Sequence, residues 1–82
     1  MLTMDLHALR EELLAAREHV VSGQRIVEAQ RALIERLLAN GHSVESHKRL
    51  LGQFEATLKL LEQHEQLLRQ ELAERDSAHN KR

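Results

Sequence analysis

Residues 39–47 read ANGHSVESH, a glycine set among polar residues with two histidines five apart, and the stretches on both sides contain no proline. Gly41 can take the left-handed conformation that closes a helix, and Ser43 can cap a following helix with Glu45 in its first turn. We therefore read residues 40–43 as the turn between two helices. His42 would then precede the cap and His47 would hold the fourth helical position, the two places filled in a hydrophobic staple. Both histidines are expected to cover the helix start or to lie in solvent.

The flanks supply the helices. Before the turn, Leu6, Leu9, Leu13, Ala16, Val20, Gly23, Val27, Gln30, Ile34 and Leu37 follow one another at alternating steps of three and four. After it, Val44, His47, Leu51, Phe54, Leu58, Leu61, Glu65, Leu68 and Leu72 do the same. This spacing is a heptad seam, and it predicts helices over about residues 5–39 and 44–75, with 76–82 as a polar, frayed tail. A turn of four residues forces the helices to lie side by side and antiparallel. The expected fold is an all-α, antiparallel two-helix hairpin forming a single domain. Residues whose numbers sum to about 81 should then face one another, which brings Gly23 near Leu58 and Phe54, where a missing side chain leaves room for the aromatic ring.

The composition agrees. Phe54 is the single aromatic residue, proline and cysteine are absent, and 30% of residues are charged, a helix-forming vocabulary with few strand formers. The absence of cysteine excludes a disulfide framework and fits a cytoplasmic location. Twelve Lys and Arg against thirteen Asp and Glu give a formal charge of −1, which provides no global field to draw nucleic acid or an anionic membrane. The opening MLTMDLHALREELL carries acid where a secretion signal needs base, and no run is long and apolar enough for a membrane span. Neither export nor membrane insertion is expected.

Two helices can bury one stripe each, and this sequence has more apolar residues than one seam uses. Leu14 and Val21 lie beside the first seam, and Leu60 and Leu67 beside the second, at the same level near the open end. Ile26, Leu33 and Leu50 flank the seam nearer the turn. A widened apolar face is what a helix needs when it touches two neighbours. These seven residues are the expected interface through which the hairpin pairs with a second copy in a four-helix bundle, acting as a non-enzymatic protein–protein interaction or adaptor module. A different helical protein with a similar face is the competing partner.

Other constellations carry less. His19 and His64, with Glu12 and Glu71 a heptad further out, are the metal-ligand candidates. A heptad step separates such residues by about 10 Å along the axis, and the Glu-x-x-His spacing of di-iron bundles is missing, so no metal or other cofactor is expected. Gln30 and Glu65 break the apolar rule of the seam, which commonly fixes register. No nucleophile or oxyanion site accompanies Glu65, so no catalytic residue is expected. Arg10, Arg17 and Arg31 edge the first helix, while Lys48, Arg49 and Arg69 lie on the second. Glu55 and Glu62 face that row, and pairs such as Arg17 with Glu62 account for it. The layout is similar to that of Rop-type RNA-binding hairpin dimers, which makes a regulatory nucleic-acid binder the alternative function and a metal-binding bundle a further one.

The strings HVVSGQRIVEAQRALIERLLANGHS and RLLGQFEATLKLLEQHEQLLRQEL resemble small uncharacterised proteins of alphaproteobacteria such as rhizobia. His19-Val20, Gly23, Arg25, Val27, Gln30, Arg31 and Gly41-His42 carry the resemblance, followed by Leu50-Leu51, Phe54-Glu55 and Leu58, over residues 19–72. It implies a bacterial, cytosolic, stand-alone protein and brings no activity with it.

Overall fold

The computed structural model describes residues 5–80, with side chains described through residue 77. Helix α1 runs Leu6–Ala39 and helix α2 runs Glu45–Asn80. They pack side by side and antiparallel as a helical hairpin. Asp5 opens α1, its Oδ1 accepting from the Ala8 N–H at 2.7 Å, which satisfies one of the orphan donors of the first turn.

The chain between the helices reverses through a Schellman motif. Gly41 has φ +77°; the Gly41 N–H donates to the Leu38 carbonyl at 3.0 Å and the His42 N–H to the Leu37 carbonyl at 2.9 Å. These two bonds satisfy carbonyls that the ended helix leaves open, and the left-handed residue between them is where glycine is favoured.

The start of α2 differs from the sequence expectation by one residue. Val44, not Ser43, stands at the cap, its carbonyl accepting the first helical bond from the Lys48 N–H at 2.8 Å. Val44 is buried while Ser43 is exposed, so burial of the valine side chain in the seam sets the entry of the chain. With the cap moved, His42 and His47 no longer occupy the staple positions. His42 is exposed and His47 half-buried.

The far end of α2 also differs. Residues 76–80 continue the helix instead of fraying, because nothing in RDSAHN stops it: there is no proline, no glycine and no residue forced out of helical geometry. Asp76 is half-buried and lies 3.4 Å from the Arg10 guanidinium across the hairpin. Lys81 and Arg82 lie outside the described residues, as does the side chain of His79.

Every seam position named from the sequence is buried or half-buried, and nearly every other helical residue is exposed. The pairing level is also as expected. Leu9, Ala16 and Leu68 form a buried cluster with Leu13 and Leu72 packed on it, which sets the start of α1 beside Leu68 and Leu72 of α2. A β-carbon placed on Gly23 would sit 3.1 Å from Leu58 Cδ1 and 3.4 Å from Leu61 Cδ1, so the notch in α1 receives the two leucines directly.

Burial is unequal between the helices. In α1, Leu9, Ala16, Val20, Val27, Gln30 and Ile34 are buried, whereas most of the α2 seam, including Leu51, Phe54, Leu58 and Leu61, is only half-buried. Most α2 seam side chains keep part of their surface in water. The result is a rod of 65 × 22 × 16 Å with a radius of gyration of 18.4 Å, against about 12 Å for a compact domain of this length.

Candidate interaction face

The two broad faces of the hairpin are different surfaces. On one edge the helices are tied by Arg31 to Glu55 at 2.8 Å and Arg10 to Asp76 at 3.4 Å. On the opposite edge Glu12 stands 3.8 Å from His64 Nε2. Residues a heptad from these anchors, or three or four away, share their edge. The arginine face therefore also holds Arg17, Lys48, Glu62 and Arg69, and the Glu12–His64 face holds His19, Ile26, Leu33, Leu50, Leu60 and Leu67.

The seven expected interface residues are divided by this geometry. Leu60 and Leu67 are 66% and 64% exposed, and with Ile26, Leu50 and the half-buried Leu33 they lie on the Glu12–His64 face. Leu14 and Val21, also exposed, share a shallow hollow with Arg17, Glu18 and Arg25 and belong to the arginine side. They stand at the level of Leu60 and Leu67 but on the other surface. Leu38, exposed beside the turn, was not among the expected residues, although its place next to the seam residue Leu37 was the signal for it.

On the first of these faces an apolar groove of about 300 Å³ opens between the helices, lined by His19, Ser22, Gly23, Ile26, Phe54, Thr57, Leu58 and Leu61. It lies beside Gly23, where Leu58 and Leu61 pack against the notch and stay half-buried.

Gln30 is buried at a seam position, and its Nε2 donates to the backbone carbonyl of His47 at 3.0 Å. This bond spans the hairpin close to the turn and satisfies the buried amide, as polar groups in such places must be. Glu65 keeps its carboxylate near the seam, its side chain 15% exposed and 3.4 Å from Arg69 one turn on.

The metal-ligand candidates do not converge. Glu12 and His64 approach each other, Glu71 is taken by Arg75 at 3.0 Å, and His19 lines the groove. Among the described residues no three histidine or acidic side chains gather around one point. Of the arginine row, Arg10 and Arg31 are paired across the hairpin, by Asp76 and Glu55 in place of the expected Arg17–Glu62 pair, and Arg69 is paired with Glu65 on its own helix. Among the described residues no helix is long and apolar enough to cross a membrane.

Set against protein-family models, curated proteins and solved structures, the chain matches none of them.

Proposed function

We propose that this hairpin is a small non-enzymatic interaction module that associates with a second copy of itself into a four-helix bundle. The observation that carries the reading is the set of large apolar side chains left in water on the Glu12–His64 face, from Leu50 at 39% to Leu60 at 66% exposed, on helices whose seams are already used. Contiguous apolar surface of this kind marks interaction sites on soluble proteins. Arg10 and Arg31 are held by carboxylates, which does not favour a phosphate-binding surface. If association and folding are coupled, thermal unfolding must depend on concentration by mass action. The expected result is a melting temperature that rises as the protein is concentrated from about 1 to 100 µM. A midpoint independent of concentration, in a chain that is fully helical at the lowest concentration, would sink the proposal.

A further inference from the structure

Resting on that self-association, we infer which face the second copy covers and how it is aligned: it seats on the Glu12–His64 face with both turns at the same end of the bundle, so that α1 of each copy packs on α2 of the other.

Three observations support the choice. The first is charge. The arginine face carries the cross-hairpin pairs Arg10–Asp76 and Arg31–Glu55 beside Arg17, Lys48, Glu62 and Arg69, and covering it would strip water from these charges. The opposite face carries formal charge at Asp5, Glu12, Arg36, Glu71 and Glu74 among the described residues, all toward its ends, and of these Glu71 is held by Arg75.

The second is size. On this face α1 presents Ala15 and Ser22 at the levels where α2 presents Leu67 and Leu60. With turns at the same end, each small residue of one copy receives a large one of the other. Ile26 likewise meets Thr57, and Leu33 meets Leu50 beside the turns. The groove beneath the Gly23 notch, on the same face, takes the Ile26 side chain of the second copy. With turns at opposite ends, Glu12 would lie on Leu33 and His19 on Ile26, opposing polar to apolar along α1.

The third is area. The chain exposes 6586 Å², whereas a folded monomer of this mass exposes roughly 5,000 Å². The surplus, on the order of 1,500 Å², follows from the rod shape and leaves area enough for one protomer's share of a homodimer interface.

Because the chain has no cysteine, single thiols report on the geometry without interference. Ser22→Cys and Leu60→Cys chains, refolded together and treated with a short bis-maleimide, are expected to give the mixed adduct beyond the statistical proportion. Leu14→Cys, on the other face, is expected to stay uncoupled. A predominant Leu60→Cys homo-adduct would overturn the alignment, and efficient coupling of Leu14→Cys would overturn the face. Sedimentation of the same uncoupled samples separates these failures from the underlying one: a monomer there means that self-association itself fails.

Discussion

At the scale of single residues, Gly41 and Gln30 do the most. Gly41 has a left-handed backbone with nothing within 4 Å of where a β-carbon would sit, so a substitution there is opposed by backbone strain alone. Gly41→Val is expected to cost about 2 kcal/mol in urea unfolding, while His42→Ala, at an exposed position, should change stability by less than about 0.5 kcal/mol. Equal midpoints for the two variants would show that the Schellman geometry does not govern the turn. Gln30 tests a different point. The His47 carbonyl it bonds lies in the first turn of α2, where the helix supplies its own donor, so Gln30→Leu leaves no buried group orphaned and should stay within about 1 kcal/mol of the parent. Gln30→Glu puts a carboxylate against that carbonyl and should cost about 3 kcal/mol at neutral pH. Gly41 was legible because a glycine between two periodic stretches has few other uses. The partner of Gln30 was not: heptad spacing shows that a polar side chain lies on the seam but not which carbonyl of the facing helix it reaches.

At the scale of the elements, α1 and α2 show what periodicity conveys and what it omits. The seams from Leu6 to Leu37 and from Val44 to Leu72 were legible in full, because a step of three or four residues constrains every side chain to one stripe. The end of α2 was not, since DSAHN has no apolar residue to continue the pattern and no breaker to end the helix. The cap at Val44 was missed for a related reason: capping preference favours serine by about 1 kcal/mol, and burial of a valine side chain outweighs that. Two glycines give a matched test. Gly52 is helical and exposed, with nothing near its missing β-carbon, so Gly52→Ala should stabilise by about 0.8 kcal/mol through helix propensity. Gly23→Ala gains the same propensity but presses on Leu58 and Leu61. Leu58 is half-buried at an open groove and can yield, so the net gain should be smaller than at Gly52. Chemical denaturation of the two variants in parallel gives the comparison. The Arg10–Asp76 pair is half-exposed at 3.4 Å, and Asp76→Ala should cost less than about 0.5 kcal/mol.

At the scale of the whole molecule, the hairpin is a rod with cross-hairpin ion pairs on one face and Leu60 and Leu67 exposed on the other, and most of its α2 seam is only half-buried. The surplus of apolar residues was legible in the sequence, and six of the seven residues it named are exposed. Their division between two faces was not read from the sequence, because matching residue levels along a hairpin says nothing about which side of the seam each residue occupies. The cross-hairpin pairs at Arg31–Glu55 and Glu12–His64 resolve it. Sedimentation equilibrium at micromolar concentration, with far-ultraviolet circular dichroism on the same sample, tests the central claim most directly. The account predicts a helical species of twice the 9.5 kDa chain mass; a fully helical, stable species of the single-chain mass would contradict it.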